Sequence, residues 1–142
     1  MLTAQEQSSE TLVALSALDQ ATLDALVKSI EVEVRTPRRD GSMSRRPIWV
    51  LVVAGDAYVR SYLGPRGAWY RRALADGGAA IGVDAGTIDV GVEAAPDEDV
   101  NRRVSEAFRA QYGARSPGPT ETMASPEVSR TTLRLTRTGS TP

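Results

Sequence analysis

Ile48-Trp49-Val50-Leu51-Val52-Val53-Ala54-Gly55-Asp56-Ala57-Tyr58-Val59-Arg60-Ser61-Tyr62-Leu63 is the stretch on which the fold reading turns. Its first six residues are continuously apolar, as in a strand covered on both faces. Gly55-Asp56 marks a tight turn. Ala57 to Leu63 then follows as a second strand. Alternation along it places Tyr58, Arg60 and Tyr62 on one face.

Upstream, Ile30-Glu31-Val32-Glu33-Val34-Arg35-Thr36 alternates apolar and polar, the pattern of a strand with one buried face. Pro37-Arg38-Arg39-Asp40-Gly41-Ser42 supplies a turn. Read together, these segments predict a three-stranded antiparallel meander. Asp19 reads as an N-cap, with Leu23, Leu26, Val27 and Ile30 at helical spacing behind it, giving a helix over about 19–29. Ser9 to Ser16 could form a short helical turn, and residues 1–8 read as frayed.

Downstream, Gly64-Pro65-Arg66-Gly67 breaks the strand pattern. Ala68 to Ala75 reads as a helix ended by Gly77-Gly78. Ala80 to Asp84 and Thr87 to Val92 read as a hairpin. Pro96-Asp97-Glu98-Asp99 opens a helix with three carboxylates at its positive end, and Val100, Val104, Ala107, Phe108 and Tyr112 recur along one face of it. Residues 114–127 are rich in Pro, Gly and Ser and read as loop. Thr131 to Leu135 closes the sheet, with both threonines read as β-formers. The sum is about six mostly antiparallel strands with three or four short helices: an α+β domain containing a partly closed barrel, or an open sheet with helices on one side. Residues 1–17 form an N-terminal extension, partly helical or frayed; 18–137 form a single domain; 138–142 are expected to be a disordered tail.

Composition narrows the chemistry. The 142 residues carry 17 basic and 18 acidic side chains, a net charge of −1, which argues against a nucleic-acid groove. Cysteine and histidine are both absent. That removes disulfides, thiolate nucleophiles, Cys/His zinc sites and a Ser-His-Asp triad within one chain. No metal site is expected; adjacent Asp97, Glu98 and Asp99 would not converge on one ion. No apolar run approaches the roughly 20 residues of a membrane helix, and the N-terminus lacks a signal-peptide pattern, so a cytoplasmic location is expected. Lys28 is the one lysine; the other sixteen basic residues are arginines. Coding bias explains much of that, but a guanidinium also binds carboxylate or phosphate with two parallel hydrogen bonds.

The densest cluster of chemistry-bearing residues is Tyr58-Val59-Arg60-Ser61-Tyr62, the Gly64–Gly67 loop, and Trp69-Tyr70-Arg71-Arg72. An arginine between two tyrosines on a strand face needs a partner if buried. That partner could be a carboxylate such as Glu31 or Glu33, or else an anionic ligand. The loop before Trp69 leads into a helix N-terminus whose backbone N–H groups suit phosphate or carboxylate. Arg45-Arg46, before Pro47, reads either as a charged edge that blocks strand pairing or as part of the same anion site. Arg60, Tyr58, Tyr62 and Tyr70 are the candidate catalytic side chains.

At Ile48-Trp49-Val50, Tyr58 to Tyr62, Ala68 to Ala73, Ala107 to Gly113 and Thr131 to Leu135, the chain resembles the domain-of-unknown-function family numbered 2255. The resemblance covers residues 18 to 136 and implies no particular reaction. The family pattern has a tyrosine and a lysine where this chain has Phe108 and Gln111, and a glycine pair near Val83-Asp84. More distantly, the order of Arg45-Arg46-Pro47, apolar strand, Gly55-Asp56, Tyr58-Val59, small loop and Trp69-Tyr70 helix is similar to the deazaflavin-dependent nitroreductase-like proteins of the FMN-binding split β-barrel superfamily. That likeness implies a split-barrel fold, a homodimer, and FMN or a deazaflavin at the dimer interface. It maps the cofactor phosphate to Arg45, Arg46, Arg60 and Ser61, and the helix packed on the cofactor to Trp69, Tyr70, Arg71 and Arg72. Two functions follow: a flavin- or deazaflavin-dependent oxidoreductase, or a cofactor-free protein that binds or converts a small anionic or planar organic molecule.

Overall fold

The computed structural model describes residues 17–29 and 32–138. The expectations for Ser9 to Ser16, for Ile30 and Glu31 and for the last four residues lie outside them. Seven strands pair in the order β2-β1-β5-β6-β7-β4-β3 as one antiparallel sheet curled into a half-barrel. They are β1 (Glu33–Pro37), β2 (Met43–Pro47), β3 (Leu51–Val53), β4 (Asp56–Val59), β5 (Gly78–Val83), β6 (Gly86–Ala94) and β7 (Leu133–Arg137). Among the described residues five α-helices join them: α1 (Gln20–Lys28), α2 (Ala68–Asp76), α3 (Glu98–Tyr112), α4 (Pro117–Met123) and α5 (Pro126–Ser129). The fold class is the α+β split-barrel type expected.

Local chemistry places most boundaries. The Asp19 side chain accepts from the Thr22 N–H and starts α1; Asp97 does the same for α3 through Val100. Gly77 ends α2 in the left-handed conformation, φ 70°. Ala54 and Gly55, at φ 52° and 84°, form the tight β3–β4 hairpin turn.

The continuously apolar stretch is covered on both faces. Ile48 and Val50 enter one core with Val34, Val59, Ile81, Leu133 and Leu135. Trp49 and Leu51 point the other way, into a second core built by Tyr58, Val104, Phe108, Met123 and Val128. The Trp49 and Tyr112 rings stack in that core, 4.1 Å apart and 6° from parallel.

The meander is corrected. β3 pairs with β4, but β1 pairs with β2 and β5, and four strands separate β1 from β3. The strand missed is β2, whose Ser44, Arg45 and Arg46 give no hydrophobic signal because it is an edge. Residues 114–127 are also corrected: most of the segment is α4 and the start of α5, each opened by a proline in its first turn, where the fixed φ favours a helix. The closing strand begins two residues later than expected, and Thr131 and Thr132 are buried fasteners ahead of it.

Candidate functional site

β4 ends at Val59, so Arg60 to Leu63 leave the sheet and run into a 3-10 turn (Gly64–Arg66), Gly67 and α2. Three bonds lock this path. The Ser61 N–H donates to Thr131 Oγ1 at 2.9 Å, the Gly64 N–H to the Ser61 carbonyl at 2.8 Å, and the Gly67 N–H to the Gly64 carbonyl at 3.1 Å. The Ser61 hydroxyl is left against Gly67, hidden from solvent and without a hydrogen-bond partner. No side chain caps α2, so its first N–H groups are open to an acceptor.

Around this point lies a cleft of about 410 Å³, within the usual range of small-molecule sites. Ser61, Gly67 and the start of α2 line one side. Arg46 and Ser44 from one face of β2, Arg38 from the β1–β2 turn and Arg72 from α2 also line the cleft. Among the described residues these three arginines make only long bonds to neutral acceptors: Arg38 to Ser42 and Met43, Arg46 to the Arg45 carbonyl, and Arg72 to Thr36. A phosphate, rich in acceptors and doubly charged, fits this donor set: an uncapped helix start, a buried orphan hydroxyl and three guanidinium groups that, among the described residues, have no carboxylate within 4.0 Å.

Pro47, Tyr62 and Trp69 also line a second cavity of about 210 Å³, completed by Ile48, Trp49, Arg60, Pro119 and Met123. The cleft therefore has a basic half and an aromatic half. Tyr62 and Leu63, 53% and 67% exposed, form its rim.

Arg60 is only 1% exposed. Its partners are neutral: Thr132 and Ser105 hydroxyls and the Met123 and Asn101 carbonyls, all at 2.8–2.9 Å. Its carbon Cζ lies 5.4 Å from the Phe108 ring centroid, a cation–π contact. Glu33, considered as its partner from sequence, instead pairs with Arg35 at 2.7 Å. Burial, with a smaller contribution from Arg109, pulls the Arg60 pKa down to about 10.

The other residues singled out from sequence are dispersed. Arg45 is on the opposite face of β2 from Arg46, exposed and 3.9 Å from Glu33. Arg71 does not line the 410 Å³ cleft; with Arg39 and Asp40 it lines an adjoining open depression that shares Arg38, Ala68 and Arg72 with it. Tyr70 packs on the first core, edge-on to Trp69. Tyr58 is buried in the second core, where burial pushes its phenol pKa up. Phe108 is also in that core, and Gln111 donates to the Tyr112 hydroxyl; neither lines the cleft. Sequence reasoning missed Arg38, Ser44, Pro119 and Met123. Recognising β2 would have placed Ser44 beside Arg46, two residues apart on one face. Among the described residues no cluster suited to a metal ion occurs, and no helix is long and apolar enough to cross a membrane.

A curled antiparallel sheet with a basic and aromatic cleft at its α2 edge is a split-barrel protein. Residues 22–135 match the family described as "Uncharacterized protein conserved in bacteria (DUF2255)", and the chain belongs to it. No curated protein matches the sequence. Among solved structures, a conserved hypothetical protein of Mycobacterium tuberculosis aligns with TM-score 0.55 and 12% identity, over 87% of this chain and 82% of that one. A candidate pyridoxamine 5'-phosphate oxidase from Listeria innocua aligns at 0.53 and 12%, over 82% and 88%. A candidate 5-nitroimidazole antibiotic resistance protein from Bacteroides thetaiotaomicron aligns at 0.53 and 12%, over 85% and 80%. At this identity the likeness is one of fold.

Proposed function

We propose that this protein binds a phosphate-bearing flavin, FMN or a deazaflavin, and acts as an oxidoreductase. The supporting observation is the Ser61 hydroxyl, buried and unpartnered beside an uncapped helix start and ringed by Arg38, Arg46 and Arg72. The likeness in fold to a candidate pyridoxamine 5'-phosphate oxidase agrees with this reading. Ser61, the α2 N–H groups and the three arginines would hold the phosphate. Trp69 and Tyr62, shared by both halves of the cleft, would flank the ring and exclude water from it. Bound there, a flavin would supply hydride chemistry that no amino-acid side chain provides. The exposed Tyr62 and Leu63 rim would be covered by a second copy of the chain.

Calorimetric titration of the purified protein with FMN and with a deazaflavin tests the reading. Micromolar or tighter binding of one of them, weakened by millimolar inorganic phosphate, is expected. Binding of neither overturns it.

A further inference from the structure

Arg60 is a buried cation without a counter-ion. Among the described residues no carboxylate lies within 4.0 Å of it, and the charged group bearing on it is a second cation, Arg109. A charge withdrawn from water in this way is expensive unless something compensates it. Hydrogen bonding does part of that. Nε donates to Thr132, Nη1 to Ser105 and Met123, and Nη2 to the Asn101 carbonyl and, at 3.5 Å, to Asn101 Oδ1. The guanidinium has five N–H donors; four make short bonds, and the fifth has only the long Asn101 Oδ1 contact. The positive charge itself stays unneutralised, and the group borders the aromatic half of the cleft.

This combination selects a kind of guest. The cavity walls are Trp49, Trp69, Tyr62, Ile48 and Pro47, flat or apolar surfaces suited to a planar ring. A localised carboxylate or phosphate entering there would lose its hydration and find at most one weakly held N–H on Arg60 to replace it. A ring anion with spread charge loses less on desolvation and still feels the cation at close range in a poorly screened site.

We propose that the 210 Å³ cavity beside Arg60 is a subsite for planar aromatic guests with delocalised negative charge, phenolates or enolates, and that it discriminates against their neutral forms. This deepens the flavin reading by naming the electronic character of the ring or co-substrate that the aromatic half accepts. With its pKa at about 10, Arg60 keeps its charge across the neutral range.

The test uses 4-nitrophenol, whose two protonation states are read by absorbance, titrated with the full chain between pH 5 and 9. The bound probe should ionise about one pH unit or more below the free probe, equivalent to at least about tenfold tighter binding of the phenolate. Ser105 meets Arg60 from α3 and does not line the cavity. Ser105→Asp therefore supplies the missing counter-charge from behind and should abolish the preference while the neutral phenol still binds. Ser105→Asn, without the charge, should keep the preference. The proposal is overturned if the wild-type protein binds neither form, if the bound probe ionises at or above its free value, or if Ser105→Asp leaves the preference intact. Because 4-nitrophenol has no phosphate, its failure removes this subsite and leaves the phosphate cradle standing. Failure of flavin binding with the probe result intact does the reverse.

Discussion

The Ser61 hydroxyl occupies the space that a Cβ on Gly67 would need. Gly67 has an ordinary backbone conformation, φ −58° and ψ 128°, so contact rather than torsion demands glycine there. Gly67→Ala should cost about 1–3 kcal/mol through overpacking and abolish ligand binding. Ser61→Ala deletes a buried hydroxyl that has no partner. It should leave the melting temperature unchanged or raise stability by about 1 kcal/mol, yet weaken phosphate-bearing ligands. The double variant should recover the stability lost in Gly67→Ala but not the affinity. Thermal melts paired with titrations separate these outcomes; a destabilised Ser61→Ala would mean that the hydroxyl is structural.

Neighbouring arginines on β2 should behave differently. Arg46 faces the cleft, whereas Arg45 faces away toward Glu33. Arg46→Ala and Arg72→Ala should each weaken a phosphate-bearing ligand by about 1.5–3 kcal/mol, the usual worth of a hydrogen bond to a charged group. The affinity of each variant should also depend less steeply on salt. Arg45→Ala should bind almost as the parent does. Equal losses at Arg45 and Arg46 would show that the field of the whole edge matters, not contact.

Arg60→Leu should be severely destabilising. It strands the Ser105 hydroxyl and the Met123 carbonyl, takes one donor each from the Asn101 carbonyl and from Thr132 Oγ1, which keeps its own bond to the Ser129 carbonyl, and removes the contact with Phe108. Stranded buried acceptors cost about 1–3 kcal/mol each before relaxation, so a net loss of at least about 3 kcal/mol is expected, measured by urea unfolding. A small change would mean that water replaces the guanidinium without penalty.

Much of the fold was legible because local chemistry and tertiary packing agree. Asp19 and Asp97 cap the helices their spacing announced, and Ile48 to Val53 meets two cores, as an unbroken apolar run implies. The failures share a cause: segments defined by what they pair with rather than by hydrophobic period. Met43–Pro47 is a polar edge strand, visible only through its register with Glu33–Pro37. In residues 114–127 the prolines read as breakers but serve as helix openers at Pro117 and Pro126. The site followed the same pattern. Arg46, Ser61, Trp69 and Arg72 do converge. Arg60 faces its neutral cage because Asn101, Ser105, Met123 and Thr132 approach from 41 to 72 residues away, and no local pattern encodes such a meeting.

β7 lies between β6 and β4 and is the sole bridge between a four-strand block and the β3–β4 hairpin. Residues 133–137 supply the pairing partner of both the β6 edge and the β4 edge. Closure of the sheet therefore depends on one five-residue strand, and its removal would leave two unpaired edges open to neighbouring chains.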